Sequence, residues 1–593
     1  IIAITLVLLS VFVPVAFLGG SSGALFREFA VAISAAMVIS AINALTLSPA
    51  LCAILLRPGD HGSRILMRIS AGIDRLTGGF TALVTRILRI SVFSLVAVAV
   101  FAFAAWGIYQ NMPDGFVPDE DSGYFFTIAQ LPEGASLNRT EAALSNASGI
   151  IEQDPAVEDV ITVSGIDFLG GGTAPNAGII FVRLKPYAQR STMELSSFAA
   201  IGRTFGALAG ITEGLFIPIN PPAIMGLGQV GGVEYVLQAL EGQQASDMAA
   251  VTRGLSVSAN EVPEIASLFT TFSASTPQVR LDIDRDKAQT LGVNIAEIFA
   301  TLQATLGGSY INDFNLFGRT WTVRMQAEQQ ARSAIADLFA IKIRTANGDM
   351  APLQAFATIS LEVGARSLTR YNNYRAVSLT GSGVAGVGTG NVIASLENLS
   401  AKILPEGYAY EWTGQAQEQI ESAGQTGVVL ALALVFAYLF LVALYESWNV
   451  PVAVLLSVVV AVLGALIGLS LVPRMSFDLY AQVSLLVLVA LAAKNAIMMN
   501  SFALQQRAQG LNARESSIAS ARLRFRPVLM TSIAFIAGLT PLVIASGPGA
   551  GAMRAVGIPV ISGMIAASVI GILMIPALFY VFQLMREKTG WKP

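Results

Sequence analysis

One lysine stands inside a long apolar run, where an ionisable side chain can do chemistry that a packing residue cannot. Lys494 lies in LVLVALAAKNAIMMNSFAL and is the only formally charged residue between Leu479 and Gln506. A lysine at the centre of a membrane span costs about 2.5–3.5 kcal/mol on insertion scales, so such residues typically serve ion or proton pathways. Snorkelling from a helix end is not expected, because Lys494 follows Asp478 by 16 residues and precedes Arg507 by 13. A structural lysine bound by carbonyls and hydroxyls is the alternative.

Lys494 has no obvious counter-charge in the sequence, because none of the apolar segments defined below contains Asp or Glu in its interior. The polar residues that could approach it are Asn495, Asn500, Ser501, Thr531 and Ser532. A buried ammonium without a partner is costly. We therefore infer that a carboxylate partner lies outside this chain.

The composition is that of a membrane protein with a large aqueous part. The 593 residues are 54% hydrophobic and 13% charged, and the mean hydropathy is +0.63. Cys52 and His61 are the only residues of their types, which leaves no disulfide framework and no Cys/His metal cluster. A catalytic centre based on Ser-His-Asp or Cys-His is disfavoured for the same reason. We expect neither an enzyme nor a cofactor.

Eight segments are long and apolar enough to cross a bilayer, which requires roughly 20 residues. They are approximately 1–18, 29–56, 90–110, 425–444, 449–472, 479–502, 527–546 and 556–584. Arginines concentrate between the second and third segments and between the sixth and seventh, so both connections are expected in the cytoplasm. Residues 112–424, which hold 32 of the 39 carboxylates but 18 of the 36 Lys and Arg residues, are then expected outside it.

The connection over 59–89 has apolar and basic residues at helical spacing. This pattern predicts an amphipathic helix on the inner membrane surface. An ordinary charged linker is the alternative.

An internal repeat relates the first two predicted spans to the last two. The two stretches align at a constant shift of 527 residues, which places Pro14 on Pro541. Parallel repeats of this kind build many transporters. Because residue 1 already lies within a span, we expect the chain to begin inside a longer protein, and the counterpart of Lys494 would precede Ile1.

The polar region predicts an α+β domain. Strands YFFTIAQL, DVITVSG, GIIFVRLK and LFIPIN alternate with helices near 138–153 and 193–208, the β-α-β-β-α-β order of a split βαβ or ferredoxin-like unit. A second run begins at GVEYVLQAL, is interrupted over 278–365, and resumes before YAYEWTG. The interruption predicts an inserted subdomain.

Several stretches together resemble one transporter family. They are FVPVAFLGGSSGALFREF, LTLSPALCAILLRP, GFVPDEDSGYF, GGSYINDF, ALYESWNVP, AAKNAI and RLRFRPVLMTS. Since they are collinear and spread from end to end, the chain resembles the C-terminal portion of a resistance–nodulation–cell division (RND) exporter of the hydrophobe/amphiphile multidrug type. The resemblance implies a polytopic α-helical membrane protein with about eight of the family's twelve spans. It also implies a large α+β periplasmic domain of ferredoxin-like units with an inserted docking subdomain.

The resemblance also implies a division into domains. We expect two spans over 1–58, a cytoplasmic amphipathic helix over 59–89, a span over 90–111, porter subdomains over 112–277, a docking subdomain over 278–365, a return of the porter over 366–424, five spans over 425–585 and a cytoplasmic tail over 586–593.

The function implied by the resemblance is proton-driven export of hydrophobic and amphiphilic compounds, powered by the proton motive force without a cofactor. Its members are homotrimers of the bacterial inner membrane that work with a periplasmic adaptor and an outer-membrane channel. Residues 112–424 would lie in the periplasm, and the partners would include membrane lipid but no nucleic acid. A related transporter of lipids or secretion substrates and a membrane-anchored scaffold without transport are the alternatives. Lys494 argues against the scaffold, and the hairpin GGSYINDFNLFGRTW favours the multidrug type.

In the family's terms, Lys494 matches a relay lysine that pairs with two aspartates on a span of the first half. Thr531 matches the relay hydroxyl, Arg524 matches an arginine at the cytoplasmic end of the same span, and Asn495 is the adjacent polar residue. Ionised aspartates would hold the lysine and protonated ones would release it, so the helices would shift. We expect YAYEWTG to carry this shift into the periplasmic domain.

The substrate pocket is also carried over by resemblance. It would be lined by Ile161, Ile166, Phe168, Phe181, Ile217 and Ile219, with Phe126 and Ile128 near its entrance. The best-known members have phenylalanine at most of the first six positions and an arginine where this chain has Gly171, and many have a glutamate at Ser501. An aliphatic pocket still binds apolar ligands but loses aromatic stacking and cation–π contacts. Ordinary β-sheet core is the alternative for each isoleucine.

Overall fold

The computed structural model describes residues 2–17, 19–55, 64–384 and 386–588. His61 and residues 589–593 of the predicted cytoplasmic tail lie outside the described residues. Within the described part, seven helical segments are long and apolar enough to cross a membrane: Ser22–Leu55, Val92–Gln110, Gly414–Tyr445, Val450–Leu471, Leu479–Ala508, Ala513–Val543 and Ala550–Lys588.

Seven of the eight predicted spans have counterparts among these segments. The first predicted span, over 1–18, corresponds to a shorter apolar helical segment, Ile4–Phe17, in which an α-helix ends at Phe12 and a 3₁₀ turn begins at Pro14. Proline has no backbone N–H, and its ring clashes with the preceding helical turn, so it ends the α-helix there.

The first five helices precede the polar region. They are α1 (Ile2–Phe12), α2 (Gly20–Leu45), α3 (Leu47–Leu55), α4 (Arg64–Ile87) and α5 (Val92–Gln110). The amphipathic helix predicted over 59–89 corresponds to α4, whose buried Phe80 stacks on Phe525 with ring centroids 4.4 Å apart. One apolar stripe of α4 is therefore covered by protein.

A first αβ unit follows α5. It consists of β1 (Tyr124–Gln130), α6 (Leu137–Ile151), β2 (Val157–Asp167), β3 (Gly172–Leu184), α7 (Ser197–Leu208) and β4 (Leu215–Ile219). The strands form an antiparallel sheet in the order β2-β3-β1-β4. Alternate residues such as Phe125, Ala129 and Ile180 are fully buried in the core that also contains residues of α6 and α7. The side chains of the intervening residues therefore lie on the other face of the sheet.

A second αβ unit begins with β5 (Val233–Ala239), α8 (Ala245–Asn260) and β6 (Ile265–Phe269). Residues 273–368 then form a separate compact unit. Its elements are β7 (Thr276–Ile283), α9 (Arg285–Thr290), α10 (Ile295–Leu302), β8 (Ser309–Leu316), β9 (Arg319–Met325), α11 (Ile335–Ala340), β10 (Lys342–Arg344), β11 (Met350–Pro352) and β12 (Ala357–Gly364). Inside this unit β7 pairs with β12, β8 with β9 and β10 with β11, all antiparallel.

The second αβ unit resumes with β13 (Thr369–Tyr371), β14 (Tyr374–Gly383), α12 (Thr389–Ile403) and β15 (Tyr408–Thr413). Its sheet has the order β13-β14-β5-β15, and β6 also pairs with β14. Thr413 is both the last residue of β15 and the N-cap of the next helix, α13 (Gly414–Tyr445). The sheet therefore continues into a membrane helix without an intervening loop.

The remaining membrane helices are α14 (Val450–Leu471), α15 (Leu479–Ala508), α16 (Ala513–Val543), α17 (Ala550–Ala566) and α18 (Ile572–Lys588). Helix α16 starts 14 residues before the predicted span at 527. The side chain of Asn512 accepts a hydrogen bond from the Glu515 amide (2.8 Å) and Glu515 accepts one from the Asn512 amide (3.3 Å), a capping box that starts the helix there.

Candidate functional site

Lys494 lies in the middle of α15, where most of its neighbours are buried. Ala493 and Asn495 are buried on either side, whereas Lys494 itself is half-buried. With other described residues, Lys494 forms neither a hydrogen bond nor an ion pair. The lysine therefore keeps three N–H donors available at membrane depth.

Of the other predicted relay residues, Asn495 is adjacent to Lys494 on α15, whereas Thr531 and Arg524 lie on the neighbouring helix α16. Neither Thr531 nor Arg524 is bonded to Lys494. Thr531 is exposed, and its hydroxyl donates to the Val528 carbonyl oxygen within α16 at 3.0 Å. The guanidinium of Arg524 lies 4.7 Å from the centre of the Phe502 ring of α15. This cation–π contact joins the two helices near the C-terminal end of α15.

Four side-chain polar atoms on these helices are buried without a hydrogen-bond partner in the described part of the chain. They are Nδ2 of Asn500 and Nε of Arg507 on α15, and Oγ of Ser532 and Nε of Arg524 on α16. Buried polar atoms are nearly always hydrogen-bonded, so unpaired ones mark a place with a structural or functional reason. The helix pair α15–α16 thus contains buried polar groups with unused hydrogen-bonding capacity.

The strand residues predicted to contact substrate lie on one face of the first sheet. The register pairs Phe126 with Phe181 on one side and with Ile219 on the other, and Ile161 lies opposite Phe181. Ile128 pairs with Ile217 in the same way. Since alternate strand residues share a face, these side chains point away from the core beneath α6 and α7.

Three aromatic rings form the centre of this face. The Phe126 and Phe181 ring centroids are 5.3 Å apart and nearly perpendicular, and those of Phe126 and Phe168 are 5.7 Å apart. Such distances are typical of favourable aromatic pairs. Phe126 and Ile128, which the sequence placed near an entrance, are both buried in the central strand β1.

The more open positions on this face belong to β2. Ile161 is 63% exposed and Ile166 is 40% exposed, so they lie at the rim of the surface. Sequence reasoning missed Ile179, which pairs with both Ile128 and Val163 on the same face. Strand alternation from Phe181 could have identified it.

A charged pair fixes the segment just before β1. Asp121 accepts hydrogen bonds from Arg190 (2.9 Å) and from the Ser197 amide at the start of α7 (2.9 Å). Burial alone would raise the pKa of Asp121, but the Arg190 guanidinium and the Ser197 and Gly123 amides more than offset this and hold the pKa below its usual value of 3.8. An ionised carboxylate thus joins the segment before β1 to Arg190 and to the start of α7.

The chain is similar in sequence to several bacterial efflux proteins. The chain is 37% identical over 592 residues to "Multidrug export protein AcrF" of Escherichia coli (strain K12), covering 98% of this chain and 57% of that protein. It is 36% identical over 586 residues to "Toluene efflux pump membrane transporter TtgB" of Pseudomonas putida, with 98% and 55% covered, and 34% identical over 591 residues to "Multidrug resistance protein MdtF" of Escherichia coli (strain K12), with 98% and 56% covered. The chain therefore spans about half the length of these relatives. A family model matches residues 1–583, and the chain belongs to the AcrB/AcrD/AcrF family.

Proposed function

We propose that this chain supplies membrane helices and periplasmic domains to a proton-driven exporter of hydrophobic and amphiphilic compounds. The exporter would be a homotrimeric proton/drug antiporter of the bacterial inner membrane with twelve spans per protomer. Residues 112–424 would lie in the periplasm as ferredoxin-like units with an inserted docking subdomain, and a periplasmic adaptor and an outer-membrane channel would complete the export path. The two αβ units and the compact unit over 273–368 support this assignment.

The observation that carries the proposal is the position of Lys494. It lies at mid-helix in α15 without a bonding partner among the described residues, although burying an unpaired ammonium is costly. A carboxylate pair on a neighbouring span would bind it when ionised and release it when protonated. Because the two protonation states bind the lysine differently, proton uptake would shift the equilibrium between helix arrangements.

The substrate surface follows from the first sheet. The eight residues proposed to contact substrate are all apolar and carry no charge. The three-ring cluster around Phe126 offers ring edges and faces to an aromatic ligand, and the isoleucines at the rim add aliphatic contact. The surface therefore favours apolar ligands over strongly charged ones.

The direct continuation of β15 into α13 supports a mechanical connection between the second αβ unit and the membrane helices. A shift of α13 would be transmitted to the second sheet through Thr413, since no loop separates β15 from α13. We propose this connection as one route by which helix movement reaches the periplasmic domain.

The proposal is tested by dye accumulation in cells that produce the complete transporter. Lys494→Ala should abolish efflux of a hydrophobic fluorescent dye without lowering the amount of protein in the membrane. Lys402→Ala, which changes an exposed lysine of α12, is the control and should leave efflux intact. Efflux that persists in the Lys494 variant would contradict proton coupling through this residue.

A further inference from the structure

The segment that joins α5 to β1 binds the N-terminus of a distant membrane helix. The Glu120 carboxylate accepts hydrogen bonds from the backbone amides of Ala552 (Oε1, 2.7 Å) and Gly551 (Oε2, 3.1 Å). Both amides belong to the first turn of α17 and lie more than 430 residues away in the sequence. The next residue, Asp121, binds the Ser197 amide at the first residue of α7. Two consecutive carboxylates thus hold the starts of two helices, one in the membrane region and one in the first αβ unit.

The contact at α17 is a charge-assisted one. The first four amides of a helix lack partners within the helix and carry a partial positive charge, so a carboxylate there is favourable. A Cβ at Gly551 would lie 2.9 Å from Glu120 Oε1, so glycine permits the close approach. The Glu120 carbonyl oxygen also accepts a hydrogen bond from Asn220 Nδ2 at 3.1 Å, just beyond β4. Glu120 is therefore fixed on both sides.

The other end of this connection is the helix that carries Lys494. Ser484 Oγ of α15 lies 3.2 Å from the Val556 carbonyl oxygen of α17. A Cβ on Gly563 of α17 would lie 2.9 Å from Leu488 Cδ1 of α15, so the two helices are in close contact. Closely packed helices shift together because their interfaces do not deform continuously. A displacement of α15 would therefore reach the first turn of α17.

A second contact joins the membrane helices to α7 close to the same place. The guanidinium of Arg474, in the turn between α14 and α15, lies 5.7 Å from the centre of the Phe198 ring. The amide of Phe477 in that turn donates to the Pro113 carbonyl oxygen at 2.7 Å, and the Leu479 amide donates to the Phe116 carbonyl oxygen at 3.0 Å. The residues preceding Glu120 are thus also bound to the start of α15.

We propose that Glu120 is a positioning residue for export, which links the helix pair α15–α17 to the first αβ unit and its apolar face. The inference rests on the proposed function and adds a route that differs from the β15–α13 connection. A shift of α15 driven by the charge state around Lys494 moves the first turn of α17, and Glu120 transmits the displacement to the base of β1. Asp121 then transmits it to α7 through the Ser197 amide.

The test uses two variants that remove opposite sides of the same contact. Glu120→Ala removes the acceptor, and Ala552→Pro removes one donor at a first-turn position where helices tolerate proline. Each should lower transport about 2- to 30-fold, the range that corresponds to coupling changes along a connected network. The double variant should be no worse than the stronger single variant, because both remove one contact. Glu141→Ala, at an exposed residue of α6, is the matched control and should transport normally.

Two further measurements separate positioning from a structural role. Equilibrium binding of a fluorescent substrate, at a temperature where both proteins are folded, should be unchanged in Glu120→Ala. The protection factors of the α7 amides, which are corrected for the intrinsic pH dependence of exchange, should change with pH in the unsubstituted protein and stay constant in the variant. If the unsubstituted protein transports and Glu120→Ala equals it, or if transport and binding fall together, the role of Glu120 is refuted. If the unsubstituted protein does not transport, the proposed function fails, and the exchange measurement then decides on the link by itself.

Discussion

Substitution of Gly563 by alanine tests the packing that ties α15 to α17. A Cβ at this position would lie 2.8 Å from the Ala461 carbonyl oxygen of α14 and 2.9 Å from Leu488 Cδ1 of α15. Both distances are well inside the roughly 3.5–4.0 Å at which non-bonded carbon atoms attract. Leu488 is fully buried and the oxygen belongs to a helix backbone, so neither can move without disturbing its own neighbours. We expect a loss of about 1–3 kcal/mol in the free energy of unfolding, the usual cost of overpacking.

The assay is thermal unfolding of the detergent-solubilised protein with a matched glycine as control. Gly538 lies inside α16, and a Cβ there would meet no atom within 4 Å. Gly538→Ala should therefore be neutral or stabilising by up to about 1 kcal/mol through helix propensity. The Gly563 variant should unfold at a clearly lower temperature than the Gly538 variant. Equal midpoints for the two variants would refute the close packing of the three helices.

Three other predictions concern the first αβ unit. Asp121→Asn leaves the buried Arg190 guanidinium without its counter-charge, so the free energy of unfolding measured with denaturant should fall by about 3–5 kcal/mol. Asp159→Asn, which removes the exposed ion pair with Arg183, is the control and should show no measurable change. Because the pKa of Asp121 is lowered in the folded state, the ionised carboxylate stabilises the protein fully above pH 3.8, and this stabilisation is lost as the pH falls through the lower folded-state pKa. The free energy of unfolding, measured over a series of pH values, should show this loss in the unsubstituted protein and not in Asp121→Asn. Phe126→Ala should weaken equilibrium binding of a hydrophobic fluorescent compound about tenfold, because the loss of one aromatic contact costs about 1.4 kcal/mol. Phe125→Leu, on the opposite face of the sheet, is the control and should leave the affinity unchanged.

Features that depend on local pattern were predictable from the sequence. The β-α-β-β-α-β order of the first unit follows from the alternation of apolar residues along each strand. The same holds for α15, whose length and apolar character make Lys494 conspicuous. These features were found because each depends on residues that are close together in the chain.

Features that depend on distant contacts were not predictable. The Glu120 carboxylate finds its donors more than 430 residues away, and a run of acidic residues gives no sign of which helix it will bind. The buried position of Phe126 follows from β1 lying between two other strands, which strand order alone decides.

Substrate-dependent proton flux tests whether protons drive transport through Lys494. The complete transporter would be reconstituted in vesicles that contain a pH-sensitive dye, with a hydrophobic substrate added under a proton gradient. Substrate should accelerate proton flux in the unsubstituted protein, and Lys494→Met, which removes the charge but keeps an unbranched chain, should show no substrate-dependent flux. Substrate-dependent proton flux of equal size in the Lys494→Met variant would show that Lys494 does not couple protons to transport.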